Sequence, residues 1–267
     1  VKIAFIGGGA MGEAILAAVL NRGLSTPQTL WVSDVKEERR QHLKKTYQVS
    51  VTGSNREAAA NGGDVIILAI KPQNLPEIMP DLKGGIKPGQ LVLSIIAGAR
   101  IATLCKGLGH QRIVRVMPNT PAQIGEGISV WTVTPEVTEK QKEQARSILS
   151  TMGREIFVAD EKYLDMATAV SGSGPAYFFF FVECLTEAAV SLGFTEATAQ
   201  ELVLQTMLGS GQLLKRSGKS PAELRRLVTS PGGTTAAALQ RFEDGNFKEL
   251  VKQAVAAAYR RAGELGK

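Results

Sequence analysis

The sequence predicts an α/β protein: a parallel, helix-covered sheet over residues 1–160, followed by an all-helical domain over 161–267. Three observations predict it. Short apolar, β-rich runs alternate with helical patterns up to about Asp160, the signature of a parallel sheet covered by helices. The β-pattern then stops, and helical patterns follow one another to the end of the chain. The chain also opens on an apolar run, VKIAFIG, that leads into glycines and then into an Ala/Leu-rich stretch.

In order, KIAFIG reads as a strand and Ala10 to Asn21 as the helix after it. TLWVSD is the next strand, and VKEERRQHLKKTY an amphipathic helix. Asp64 to Ile70, DVIILAI, is apolar throughout its strand core, as expected of a strand covered on both faces. QLVLSI, RIVRVM and GISVWTV continue the series, with a helix from about Thr138 to Met152 and a last strand REIFV. Beyond that, Pro175–Leu192, Thr195–Lys215, Ser220–Leu227, Thr234–Phe242 and Asn246–Leu265 read as helices. Pro175 suits the start of a helix and Gly193 the end of one. This second domain holds more apolar residues than an isolated bundle can bury, so some are expected to face a partner subunit.

Composition narrows the function classes. The 267 residues are 44% hydrophobic and 21% charged, an ordinary globular balance. The run AYFFFFV falls far short of the roughly 20 residues of a membrane span. The opening residues lack the longer apolar core of a signal peptide, so no targeting segment is expected. With two cysteines, Cys105 and Cys184, and two histidines, His42 and His110, a cytoplasmic, metal-free protein is the simple reading. Both cysteines read as small buried hydrophobes and both histidines as surface residues. The net charge of +6 sits mostly before residue 160, which suits a phosphate-bearing ligand. The basic residues are scattered and not interleaved with aromatics, so nucleic acid is not expected.

Gly7-Gly8-Gly9-Ala10-Met11-Gly12 fits G-x-G-x-x-G, after a strand and opening a helix, which is the context a Rossmann-type dinucleotide fold requires. Gly7 permits the tight turn, Gly9 lets the backbone approach a pyrophosphate, and Gly12 lets helix and sheet pack closely. The helix N-terminus favours the negative charge. The second strand ends at Ser33-Asp34, 22 residues after Gly12. An acidic residue there commonly accepts the ribose hydroxyls of NAD. Ser33, Lys36, Arg39 and Arg40 suit a 2′-phosphate instead, although each basic residue alone reads better as part of a solvated helix face. NADPH and NADH both stay open, with NADPH slightly favoured.

Two further strand ends matter, because ligands of open α/β sheets lie outside the carboxyl ends of strands. One is Ala69-Ile70-Lys71-Pro72, where Lys71 is a cofactor-side cation or a solvated charge. The other is Ile96-Ala97-Gly98. Met117-Pro118-Asn119-Thr120-Pro121 is a stiff loop, placed to wall a nicotinamide or simply to turn the chain.

In the helical domain, SGSGPAY (Ser171–Tyr177) and VTSPGGTTAAAL (Val228–Leu239) are rich in glycine and hydroxyls, and each leads into a helix. Each therefore offers backbone N–H groups to an anion. A plain N-cap needs one hydroxyl, not Ser230, two glycines, Thr234 and Thr235.

These two segments, with IGGGAMGEAI, AIKPQ and VRVMPNTPAQIGEG, resemble pyrroline-5-carboxylate reductase over the whole chain. The resemblance implies reduction of Δ1-pyrroline-5-carboxylate to L-proline with NAD(P)H, the last step of proline synthesis. It implies a Rossmann domain, a helical domain that forms an intertwined homodimer, and in many members a ring of five dimers. It also implies roles: Ser230 and the backbone of Gly232, Gly233 and Thr234 would hold the substrate carboxylate, and Thr235 would hydrogen-bond the ring nitrogen. Gly7 to Gly12, Ser33, Asn55, Ala69 to Pro72, and Ile95, Ile96 and Ala97 would line the cofactor. Glu161 would lie near the substrate. Asp34 departs from the Asn or Arg that NADPH-favouring members often carry near this point.

The chemistry needs a hydride donor above the C=N carbon and a proton for nitrogen. A basic imine takes that proton from solvent or a hydroxyl-linked water, so no histidine is required. Two competing readings remain. A β-hydroxyacid dehydrogenase would place an acid/base lysine on the first long C-terminal helix, and Pro175–Leu192 has none. A non-catalytic dinucleotide-binding module would not need SPGGTT.

Overall fold

A computed structural model describes residues 1–266. An eight-stranded sheet has the order β3-β2-β1-β4-β5-β6-β7-β8. Its strands are β1 (Ile3–Ile6), β2 (Leu30–Ser33), β3 (Ser50–Thr52), β4 (Val65–Leu68), β5 (Leu91–Ser94), β6 (Ile113–Met117), β7 (Gly127–Val133) and β8 (Gly153–Phe157). Helices α1 (Ala10–Asn21), α2 (Glu37–Tyr47), α3 (Asn55–Asn61), α4 (Leu75–Leu82), α5 (Ile101–Leu108) and α6 (Glu139–Ser150) alternate with them, and α7 (Lys162–Ala167) follows.

The apolar runs of the central strands split by parity, because successive side chains point to opposite faces. Ile3, Phe5, Val65, Ile67, Leu91 and Leu93 pack on one face with Ile15, Leu16 and Val19 of α1 and Ile148 and Leu149 of α6. Ala4, Ile6, Ile66, Leu68 and Val92 face the other way, onto Ala58 and Ala59 of α3, Leu82 of α4 and Leu104 and Leu108 of α5. A strand buried on both faces has no polar positions to alternate, which is why DVIILAI reads as one apolar block.

The sheet departs from the expected all-parallel arrangement at one junction: β6 and β7 pair antiparallel. Only residues 118–126 join them, too few for the crossover a parallel pair requires. The next connection, through α6, is long enough, and β8 is parallel to β7. Strand β3 was not legible in the sequence, being three residues, SVT, at the sheet edge.

The chain divides into two units, residues 1–173 together with the segment from 258 onward, and residues 174–257. This differs from a cut at 160/161. Residues 161–173, α7 and the π-helical turn Thr168–Gly172, belong with the sheet, as does the end of α12 (Phe247–Leu265). Buried Leu164 and Ala169 and a set of ion pairs tie this segment to the sheet. Buried Arg115 on β6 pairs with Glu161 at 2.7 Å and Asp165 at 3.0 Å. Arg100 meets Asp165 at 3.3 Å and donates to the Gly266 carbonyl at 3.1 Å.

The second unit contains α8 (Gly174–Ser191), α9 (Glu196–Ser217), α10 (Pro221–Leu227), α11 (Thr234–Asp244) and the first part of α12. Phe181, Phe242 and Phe247 cluster, with ring centroids 5.3–6.4 Å apart. By contrast, Phe178, Phe179, Phe180, Leu204 and Leu208 are exposed in the single chain. No helix among the described residues is long and apolar enough to cross a membrane.

Two smaller expectations are corrected. His110 is buried, not a surface residue: its Nε2 faces the Gln90 carbonyl at 2.9 Å, and burial pushes its pKa below the ordinary value. Cys184 is exposed and Cys105 only half-buried, so neither is a fully buried hydrophobe in the chain.

Candidate functional site

Parallel register brings the chain out of the sheet at one level. Ile6 on β1 is aligned with Ser33 on β2 and Leu68 on β4, and Leu68 with Ser94 on β5. The segments that start at Gly7, Asp34, Ala69 and Ile95 therefore leave the sheet side by side, at the carboxyl ends of their strands. Strand β1 has β2 on one side and β4 on the other, which makes this the topological switch point where such sheets bind ligands.

Two of the three motif glycines in the first loop have a steric reason within the protein, and the third does not. Gly7 sits at φ +98°, and a Cβ there would lie 2.6 Å from the Ala69 carbonyl oxygen. A Cβ on Gly12 would collide with the Gly7 carbonyl oxygen. At Gly9 nothing lies within 4 Å of where a Cβ would be. The Gly9 side is thus open space, while its neighbours are packed. Gly9 is also the N-cap of α1 and no side chain caps that helix, whose first turn begins with Ala10 and Met11. The free N–H groups of an uncapped helix start, facing open space, fit an anionic group such as a pyrophosphate.

Around this loop the expected cofactor residues take several positions. Buried Ser33 donates to Asn55 Oδ1 at 2.7 Å, and Asn55 Nδ2 donates to Asp81 at 2.9 Å. Asn55 was reached through resemblance alone, and this hydrogen bond ties it to the β2 end. Ala69 and Ile70 are half-buried, while Lys71 and Pro72 are exposed at the start of a 3-10 turn. Ile96 is buried and Ile95 and Ala97 half-buried. The amide of Ile95 donates to the Leu68 carbonyl at 3.1 Å, which joins the two strand ends.

The basic residues named for a 2′-phosphate are not equivalent. Arg39 pairs with Glu13 and donates to the Gly8 carbonyl. Arg40 donates to the Asp34 carbonyl at 2.6 Å and pairs with Glu37. Lys36 is exposed, and its ammonium has no partner among the described residues. Gly8, an unspecified position of the motif, proves constrained too: a Cβ there would lie 2.6 Å from Leu43 Cδ1. A glycine filling the free position between Gly7 and Gly9 was the available signal.

Glu161 is committed within the first unit. Its Oε1 accepts from Arg115 at 2.7 Å and from the Ile101 amide at 2.8 Å. These two bonds anchor the start of α7 to β6 and α5. The MPNTP loop is pinned by Asn119 Oδ1, which accepts the Ile128 amide at 2.9 Å.

The segment SGSGPAY does not present a free helix start at its serines. Ser171 donates to the Ala167 carbonyl at 3.0 Å, and the Ser173 amide to the Thr168 carbonyl at 2.8 Å. They lie in or at the end of a π-helical turn that continues α7, so the Ser171 hydroxyl and the Ser173 amide are engaged within it. Gly172 packs against the Met117 side chain, whose Cε would lie 2.6 Å from a Cβ there.

In the second unit, α11 starts at Thr234, where the sequence places a helix start. Ser230-Pro231-Gly232-Gly233 is a β-turn closed by the Gly233 amide on the Ser230 carbonyl at 3.0 Å, with Gly232 at φ +69°. Proline followed by a left-handed glycine is the pairing of a type II turn. Gly233 is the N-cap and no side chain caps α11. Its own N–H is spent on the turn, so the free donors are the amides of Gly232, Thr234 and Thr235. Among the described residues these amides and the hydroxyls of Ser230, Thr234 and Thr235 have no hydrogen-bond partner. Several donors, no acidic side chain and a helix N-terminus together suit a small carboxylate.

The comparisons with known proteins agree with both halves. Residues 161–265 match a family model described as pyrroline-5-carboxylate reductase dimerisation, and residues 2–98 match one described as NADP oxidoreductase coenzyme F420-dependent. A pyrroline-5-carboxylate reductase of Synechocystis is 42% identical over all of this chain and 99% of its own length. One from Pseudomonas aeruginosa is also 42% identical, over 99% of this chain and 96% of its own. Among solved structures, the Plasmodium falciparum pyrroline carboxylate reductase with NADP bound superposes with a TM-score of 0.90 at 32% identity, covering 100% of this chain and 98% of that one. With this similarity along its whole length, the chain belongs to the pyrroline-5-carboxylate reductase family.

Proposed function

We propose that this enzyme reduces Δ1-pyrroline-5-carboxylate to L-proline with a reduced nicotinamide dinucleotide, as the last step of proline synthesis. The observation that carries the reading is the uncapped start of α11, with unspent amides and hydroxyls at Ser230–Thr235. In this reading Ser230 and the amides of Gly232 and Thr234 hold the substrate carboxylate, and Gly233 shapes the turn that aims them. Thr235 Oγ1 hydrogen-bonds the ring nitrogen.

When bound, the dinucleotide supplies the hydride that adds to the C=N carbon; the protein supplies position and electrostatics. Gly7, Gly9 and Gly12, with the first amides of α1, hold the pyrophosphate. Ser33, Asn55, Ala69–Pro72 and Ile95–Ala97 border the rest. The nitrogen gains its proton from solvent, directly or through a water on Thr235. A neutral hydroxyl is a weak acid, so Thr235 orients the imine first and relays second. Fixing two reactants in a productive geometry supplies up to roughly 7–11 kcal/mol of a barrier.

NADPH is the favoured donor and NADH is also accepted. Lys36 supports this preference, being the one basic residue of the β2–α2 segment's Lys36, Arg39 and Arg40 left unpaired among the described residues. The active form is a homodimer through the exposed apolar faces of α8 and α9, assembled further into five dimers. Two free thiols suit a reducing, cytoplasmic setting.

The test is loss of nicotinamide absorbance with NADPH and with NADH, each with and without pyrroline-5-carboxylate. Substrate-dependent oxidation is expected with both, faster with NADPH. No substrate-dependent oxidation with either would overturn the reading.

A further inference from the structure

Gly8 occupies a position that the dinucleotide motif leaves free, yet both polar groups of its backbone are taken by side chains from one later segment. Its amide donates to Asp34 Oδ2 at 2.9 Å. Its carbonyl accepts from Arg39 Nε. The other oxygen of Asp34, Oδ1, accepts the Lys36 amide at 2.9 Å. Arg39 is fixed in turn by Glu13 of α1, which also accepts the Tyr47 hydroxyl at 3.0 Å and faces His42 Nε2 at 2.9 Å. The packing of Gly8 on Leu43 closes the remaining side.

An acidic residue at the end of the second strand commonly reads the ribose hydroxyls of NAD. In this chain each oxygen of that carboxylate already has a backbone donor. Resting on the nicotinamide-dinucleotide reading above, we infer that Asp34 and Arg39 are positioning residues that clamp the Gly8 backbone from both sides and so set the Gly9–Gly12 amides for the pyrophosphate. A loop ordered before binding loses less conformational freedom when the ligand arrives. The pyrophosphate is common to both dinucleotides, so the clamp serves NADH and NADPH alike. A residue that reads the 2′ position acts on one of them by construction.

The experiment is calorimetric titration of NADP⁺ and of NAD⁺ into the full-length wild type, Asp34→Ala and Arg39→Met. Hydrogen exchange at the Gly8 amide is followed in the ligand-free proteins. Each substitution is expected to weaken both dinucleotides by about tenfold, the scale of one lost hydrogen bond to a charged group, with the affinity ratio held within about twofold. The Gly8 amide is expected to exchange faster in Asp34→Ala. Asp34→Ala weakening NAD⁺ while tightening NADP⁺, with Gly8 protection unchanged, would overturn the clamp and make Asp34 a reader of the ribose. If Asp34→Ala does not fold, Arg39→Met decides by the same ratio, since Arg39 holds the carbonyl of the same residue whose amide Asp34 holds. Wild-type protein that binds neither dinucleotide would sink the underlying reading, a result separate from any change in ratio.

Discussion

Arg115 on β6 and Asp165 on α7, fifty positions apart in sequence, are joined by a buried 3.0 Å ion pair. Both side chains are nine-tenths or more buried. Glu161 at 2.7 Å completes the bidentate grip on Arg115, whose planar guanidinium suits two carboxylates at once. Replacing Arg115 with Met leaves Asp165 with only the longer 3.3 Å contact to Arg100. Breaking such a pair from one side costs about 3–5 kcal/mol. Urea unfolding of Arg115→Met should give an unfolding free energy lower by that amount, and a value within about 0.5 kcal/mol of wild type would show that the network is not stabilising.

The glycines of the first loop should separate by mechanism. A methyl at Gly12 collides with the Gly7 carbonyl oxygen, so Gly12→Ala should lower both stability and dinucleotide affinity. A methyl at Gly9 meets nothing within 4 Å of the protein, so Gly9→Ala should leave stability within about 0.5 kcal/mol of wild type. Its dinucleotide affinity should nonetheless drop, because the methyl occupies the ligand's space. Thermal unfolding beside calorimetric titration checks both, and a Gly9→Ala protein with unchanged affinity would argue against pyrophosphate at that point.

Substrate roles should split between KM and kcat. Thr235→Ala is expected to lower kcat about tenfold or more, the scale of one transition-state hydrogen bond, with dinucleotide affinity unchanged. Unchanged kinetics would sink the orienting role. For Ser230→Ala the larger change should be a raised KM for the imino acid. A collapse of kcat at constant KM would show that the carboxylate lies elsewhere.

Buried His110 predicts a pH dependence of stability. Burial lowers its folded-state pKa below the ordinary 6.5, against the smaller opposing effect of its hydrogen bond to Gln90. Near and above neutrality both folded and unfolded states hold it uncharged, so it imposes no penalty there. As pH falls below about 6.5 the unfolded chain takes up the proton first, and stability declines towards the lowered folded pKa. Urea midpoints at pH 7.5 and pH 5 should differ more in wild type than in His110→Gln. Equal differences in the two proteins would assign the pH effect to other groups.

The sequence by itself determined the local chemistry. The alternation of strands and helices, the Gly7–Gly12 turn and the surplus hydroxyls of Ser230–Thr235 are encoded in contiguous residues, whose period and steric needs show without partners. The family resemblance rested on the same short segments. Only the tertiary structure decided what depends on pairs distant in sequence. It turned β7 antiparallel to β6 because the connection is short, added β3 at the edge, and placed α7 with the sheet through Arg115. It paired Glu161 with Arg115, set Ser171 in a π-helical turn, and bound Asp34 and Arg39 to Gly8. Charge and hydrogen-bonding capacity are visible in a sequence as an inventory. Which donor meets which acceptor is fixed only when the fold brings residues 8 and 34, or 115 and 165, within reach of a hydrogen bond.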